Sequence, residues 1–398
     1  MDVLGTARAY IKEMVNLAGP QMKVILMDKE TTTIVSCAFA QSEMMQKEVR
    51  EVHEFFVDGI ALSAPLFTVN LKHIYDQTFN VTASSFLRIK QALVALLLSQ
   101  KKKPLIRYQR SSEDCKRLAE DLNQVMRREE GLFDNAKRDA VLLIVDRSED
   151  PVTPLLNQWT YEAMVHELIT INNNRVTVDG QSMVLSELHD EFYAKVEQSI
   201  VAEGDHSRCL ERVRSLINHP KTTRMNALRL VLLYALRFEG NPNNELSSLV
   251  GMLRKDNDAA KVVRALLRYG GAARRKSDLF GEGSTMGMTK RFIKGLKGVE
   301  NIYTQHEPYL KDIVENTVKG RLSEQQYPYV SGDVTGGRQE NLIVFIVGGA
   351  TFEEALFVRS QNEKRMQGGG GPAITLATTF MHNTTSFIEQ FSQPQWSR

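Results

Sequence analysis

Apolar positions along this chain change period several times, and each change marks an element. Residues 141–145, VLLIV, form an unbroken branched run, which fits a strand covered on both faces and so a parallel sheet. Asp146 and Arg147 close the run, and Pro151 and Pro154 keep a helix from starting early. From Asn157 onward, Trp159, Ala163, Leu168 and Ile171 fall at helical spacings. A charged turn thus lies at a strand's carboxyl end, where open α/β sheets place their working loops. The same pattern returns late in the chain, with apolar strands over 342–347 and 373–377 and helices over 352–360 and 384–391.

Before that turn, Leu4, Ala7, Tyr10, Ile11, Met14 and Val15 make one face of a helix over 4–17, which Gly19-Pro20 ends. Residues 23–27 and the β-branched run 33–39 read as paired strands, followed by a charged helix from Gln41. Pro65 splits 60–69 into a strand pair suited to a sheet edge. Phe86, Ile89, Leu93, Leu96 and Leu97 define a helix, and Lys101–Lys103 read as its solvated end. After 106–108 comes a helix capped by Ser111 or Ser112 that ends near Gly131.

Between the two α/β stretches the pattern is helical: one amphipathic helix over 184–203, then helices over 209–217, 225–238, 246–253 and 259–267. The expectation is an α/β fold whose parallel-sheet domain (139–205 plus 335–398) is interrupted by a mainly helical domain (206–334) and preceded by an α/β domain over 1–138.

Composition narrows the function. With 398 residues, 42% hydrophobic, 25% charged and a net charge of +2, the chain can build two or three cored domains and is no general nucleic-acid binder. Three scattered cysteines, Cys37, Cys115 and Cys209, read as reduced thiols in a cytosolic setting. The longest apolar run, 92–98, is too short to span a bilayer, so membrane association is expected to be peripheral and through partners. Residues 254–297 carry twelve Lys or Arg against four Asp or Glu. Such density suits acidic helices or anionic lipid, or simply a set of solvated faces.

Chemistry is sparse. VFIVGGATFEEA places glycines between a strand and a helix, as a nucleotide site would, but lacks G-x-G-x-x-G and sets Glu353 and Glu354 where they would repel phosphate. Asp146, Glu149 and Asp150 could gather a divalent cation, though capping of the turn by Asp146 or pairing with Arg147 explains them more simply. His166 and His189 have no neighbour at ligand spacing, and no nucleophile elbow is present. No cofactor, metal or catalytic residue is therefore assigned. A nucleotide- or metal-dependent enzyme using the Gly348-Gly349 turn and the Asp146 loop is one alternative reading.

Asp146, Arg147, Asp150, Thr153, Pro154, Leu155, Leu156, Thr160, Tyr161, Ala163 and Met164 together resemble the signature of the Sec-one/Munc-eighteen (SM) family. KVILMDKETTTIVS, FIKGLKGVENIYTQHEPYL and LIVFIVGGATFEEAL are similar to its endosomal branch. The resemblance implies a non-enzymatic, monomeric protein that binds a syntaxin-type SNARE, assists SNARE assembly, and sits in the cytoplasm and peripherally on Golgi and endosomal membranes. It implies that Asp28, Ser36 and Glu43 face the syntaxin, and that the signature residues are chiefly structural. It also implies two internal gaps, after Arg50 and near Gln198-Ser199, which shorten the first domain and remove a helical hairpin of the family. A non-binding splice or gene-model variant of such a protein is a second alternative reading.

Overall fold

The computed structural model describes residues 2–17, 19, 34–35, 37–39, 59–157, 161–168, 170–171, 205–253, 258–276, 279–280, 306–330 and 339–392. Expectations for 23–27, for the helices from Gln41 and over 184–203, and for most of the basic stretch lie outside these residues.

One six-stranded sheet organises the rest. Its strands are β1 (Ile60–Ser63), β2 (Leu66–Thr68), β3 (Leu105–Tyr108), β4 (Ala140–Asp146), β5 (Asn341–Val347) and β6 (Ala373–Thr378), in the order β1-β2-β6-β5-β4-β3. β1 and β2 form an antiparallel hairpin at one edge, as Pro65 predicts. From β2 to β3 every neighbouring pair is parallel. All seven residues of β4 and of β5 are buried, because helices cover both faces. At the other edge, Tyr108 and Arg110 donate to the carbonyls of Pro328 and Gln326, and Val330 donates to Ile106, so β3 exposes no free ladder.

On one face lie α2 (Ala83–Ser99), α3 (Glu113–Arg128) and the insertion helices α5 (His206–Ile217), α6 (Arg224–Phe238), α7 (Leu246–Met252) and α8 (Ala259–Gly270). The other face is covered by α4 (Tyr161–Leu168), α9 (Tyr309–Val318) and α10 (Phe352–Lys364). The chain closes this body with α11 (Thr384–Glu389), while α1 (Val3–Leu17) packs beside β1. Side-chain caps fix several helix starts: Thr82 for α2, Ser112 for α3, Asp205 for α5 and Thr223 for α6.

Four expectations need correction. Residues 34–35 and 37–38 are helical rather than a strand, with the Phe39 amide donating to the Val35 carbonyl at 3.0 Å. β-branched residues favour strands only where a neighbouring ladder is available, and none of the six described strands pairs with residues 34–35 or 37–39. The boundary drawn at 138/139 runs through the sheet, since β3 pairs with β4 from Leu105↔Val141 to Tyr108↔Ile144. Residues 60–108 thus share a core with the central domain. Within the helix expected from Asn157 to Ile171, the described part is α4 over Tyr161–Leu168, and Thr170, with a left-handed φ of +68°, and Ile171 lie beyond its end. Finally, Lys102 is buried rather than solvated, and its ammonium lies 2.7 and 2.8 Å from the two carboxylate oxygens of Asp139. A lysine beyond a helix end reads as solvated only while its acid partner, here 37 residues away, is out of view.

Candidate functional site: the charged turn at the carboxyl edge of the sheet

The turn after β4 gathers the signature residues, and nearly every charge in it is buried. Asp146, Arg147, Glu149 and Asp150 are each no more than 6% exposed, so each must find partners inside the protein. Asp146 ends β4 and caps the turn by accepting the Ser148 amide at 2.9 Å. Its other oxygen accepts the Ser112 hydroxyl at 2.7 Å, which ties the turn to the start of α3. Arg147 donates to both carboxylate oxygens of Glu354 and lies 3.6 Å from Asp150.

Two of these acids reach into the helical insertion. Glu149 accepts from the Gln109 amide nitrogen, the Ser111 hydroxyl and the Lys276 backbone amide. Asp150 accepts the Thr153 hydroxyl and amide and the Tyr309 amide at the start of α9. The Thr153 hydroxyl also lies 2.9 Å from Nε2 of His306. The turn therefore fixes how the sheet meets the insertion. Burial alone would raise the Asp150 carboxyl, but Arg147, His306 and the Thr153 bonds hold it below the usual carboxylate range. For Arg147, burial is overcome by Glu354 and Asp150, which keep it charged.

This geometry does not favour the enzyme alternative. The carboxylates of the Asp146 loop face protein donors, and among the described residues no group of three or more His, Cys, Asp or Glu could hold a metal ion. At the glycine turn, a Cβ on Gly348 would fall 2.4 Å from the Tyr75 hydroxyl and 2.7 Å from that of Tyr269. One on Gly349 would fall 2.1 Å from Cδ2 of His382. The space a phosphate would need is thus filled by two tyrosines and a histidine. Both glycines have left-handed φ, +96° and +100°, so they serve a tight turn with close packing. Glu354 completes a capping box with Thr351 at the start of α10.

Of the expected site residues, Asp146, Arg147, Asp150, Thr153 and Pro154 converge in this buried turn. Tyr161 opens α4, while Thr160 and the three partner-facing residues Asp28, Ser36 and Glu43 lie outside the described residues. Sequence reasoning did not assign Glu354, Gln109, Ser112 and Lys276 to the turn. The T-x-x-E spacing of Thr351 and Glu354 was a legible signal for one of them.

The sequence matches the Sec1 family over residues 46–196 and again over 193–390. This chain belongs to the Sec1 family. Vacuolar protein sorting-associated protein 45 of Mus musculus is 34% identical to it over 551 aligned residues, covering 98% of this chain and 96% of the mouse protein. The protein of the same name from Dictyostelium discoideum is 28% identical, covering 100% and 98%. Among solved structures, the SM protein Vps45 in complex with the Qa SNARE Tlg2 (1-310) matches with a TM-score of 0.83 and 27% identity, over 98% of each chain. The Unc18–syntaxin 1 complex from Monosiga brevicollis, at 17% identity and a TM-score of 0.78, shares the fold. An alignment of 551 positions against 398 residues leaves well over a hundred mouse positions without a counterpart, as internal gaps require. The two stretches matched to the family meet at 193–196, next to the second expected gap.

Proposed function

We propose that this Sec1-family chain is a non-enzymatic SNARE regulator. It binds a syntaxin-type (Qa) SNARE of the endosomal and trans-Golgi route and promotes SNARE assembly during vesicle docking and fusion. One observation carries the reading: over 98% of each chain, the fold follows an SM protein solved with its Qa SNARE bound. The mouse and Dictyostelium relatives, named for vacuolar protein sorting, support the same route.

In this reading the sheet and the insertion form a scaffold, and the Asp146–Asp150 turn sets the angle between them. Asp28, Ser36 and Glu43 belong to the partner-facing surface, and charge complementarity selects the partner and speeds encounter. Membrane association is peripheral, on Golgi and endosomal membranes, and comes through the bound SNARE. Among the described residues no helix is long and apolar enough to cross a membrane.

The test is size-exclusion co-elution with the cytosolic region of an endosomal or trans-Golgi syntaxin, with and without that syntaxin's N-terminal peptide. A complex that survives removal of the peptide is expected, because the gaps shorten the first domain. Separate elution of two monodisperse proteins would overturn syntaxin binding and leave the chain a folded, non-binding member of its family.

A further inference from the structure

The parallel strands β6, β5, β4 and β3 start side by side, with Ala373 opposite Asn341, Asn341 opposite Ala140 and Val141 opposite Leu105. The segments that enter them therefore leave one edge of the sheet, at the opposite end of β4 from the charged turn. Charge is divided unequally between the two edges. At the carboxyl edge Asp146, Glu149 and Asp150 are buried among protein donors, whereas the amino edge presents exposed cations.

α3 ends in Arg127 and Arg128, the loop from α2 to β3 carries Lys101, and the loop into β4 carries Lys137 and Arg138, all exposed. The two loops lie against each other: the Lys137 amide donates to the Lys101 carbonyl and the Lys103 amide to the Lys137 carbonyl, both at 2.9 Å. Asp139 and Glu130 are already engaged by Lys102 and Lys103. None of the exposed cations has an ion-pair partner among the described residues, and the acids left in these loops are Glu129 and Asp134. Lys364 and Arg365 continue the basic edge toward β6, with Glu363 and Glu340 as the acids near them. Cations at the ends of α3 and α10 complement the helix dipoles. Lys137 and Arg138 end no helix, so that role does not account for them.

Large apolar side chains protrude from the same segments. Leu132, before β4, is 61% exposed, and Met366, before β6, is 82% exposed. Val318 at the end of α9 is 44% exposed and adjoins the β6 loop, since a Cβ on Gly371 would lie 3.6 Å from it. Only β5 separates β4 from β6, so the starts of those two strands are about 10 Å apart. Apolar tips on separate loops, each beside cations, suit a fluid surface that each can enter on its own. A protein partner would need a fitted pocket for every tip.

We propose that the amino edge of the sheet is a contact surface for an anionic lipid bilayer. Leu132 and Met366 enter the head-group layer, and the cations around Lys101, Arg128 and Lys137 meet the lipid phosphates and carboxylates. The contact is direct, so it adds to any tether through a bound SNARE and does not rest on it.

Flotation of the full chain, with no SNARE present, tests this on vesicles of phosphatidylcholine with phosphatidylserine and on vesicles of phosphatidylcholine alone. Binding to the anionic vesicles is expected, weakening as salt rises, with little binding to the neutral ones. Lys137→Glu combined with Arg138→Glu should reduce it at least about tenfold. Leu132→Asp combined with Met366→Asp should also reduce it, and all four positions are exposed, so the circular dichroism spectrum should not change. Lys221→Glu combined with Arg264→Glu makes the same change in net charge at exposed positions of the helical insertion and should bind as the parent does. Absence of flotation with the anionic vesicles overturns the proposal and leaves the basic edge to an acidic protein segment. Equal loss in the two charge-reversed variants overturns it as well, because net charge and not this edge then drives binding. Binding unmoved by the changes at Lys137 and Arg138 and at Leu132 and Met366 places the contact elsewhere and has the same consequence.

Discussion

Arg147 and Glu354, 207 residues apart in the chain, meet in a two-pronged ion pair of 2.9 and 2.8 Å. One residue leaves β4 and the other opens α10, so the pair joins the segments that flank the helical insertion. Both side chains are nearly devoid of solvent contact, at 4% and 0% exposure. Their attraction must therefore offset a large desolvation cost.

Removing one partner should cost far more than the pair contributes. Glu354→Ala leaves a buried guanidinium with only Asp150 beside it, at 3.6 Å, and should destabilise the protein by about 3–5 kcal/mol. Arg147→Met combined with Glu354→Leu should recover part of that loss, since the guanidinium is no longer buried without Glu354, and Asp150 keeps its bonds from Thr153 and Tyr309. Urea unfolding of the three variants against the parent measures this. Equal cost for the single and double variants would mean that shape, not charge, dominates the site.

Gly349→Ala should be among the most disruptive small changes in the chain. Its φ of +100° disfavours any side chain, and the new methyl would meet the His382 ring at 2.1 Å. A loss of about 2 kcal/mol or more is expected. Gly131→Ala, where nothing lies within 4 Å, is the matched control and should change stability by less than about 0.5 kcal/mol. Comparable melting temperatures for the two variants would contradict the packing argument.

Stability should fall as the solution is acidified from pH 6.5 toward 4. Burial holds the His166 ring down to about 4, below its ordinary 6.5. Its Nε2 faces the Met381 carbonyl and its Nδ1 accepts the Ile171 amide, an arrangement only the neutral ring can keep. Above pH 6.5 the ring is neutral in both states and has no effect. Below it the unfolded chain takes up a proton that the native chain refuses, so stability drops with pH. At about 1.4 kcal/mol per pH unit, the loss from this residue reaches about 3 kcal/mol near pH 4. His382, held well below its ordinary value by burial and by Arg147, acts in the same direction. Urea midpoints at pH 7.5, 5.5 and 4.5 should decline, and less steeply in His166→Gln. A flat profile in the parent would show that neither ring titrates with unfolding.

The sequence by itself determined the elements whose period is unambiguous. VLLIV and LIVFIV read as strands covered on both faces from their short, branched, unbroken apolar runs, and Phe86 to Leu97 as a helix face from its spacing, because these signals lie within a few neighbouring residues. The signature after β4 also fixed the family, since its residues lie close together in the chain.

What depended on distant partners was decided by the tertiary structure. Residues 34–35 and 37–38 had strand composition but pair with none of the six described strands, and are helical. Lys102 looked solvated until Asp139 was placed beside it, and Tyr10 looked buried until its side of α1 was left uncovered. Arg147 had acids nearby in sequence, yet its principal partner came from the far side of the insertion. A hydrogen bond or ion pair is a relation between two positions in space, and the order of residues along a chain specifies only one coordinate of that relation.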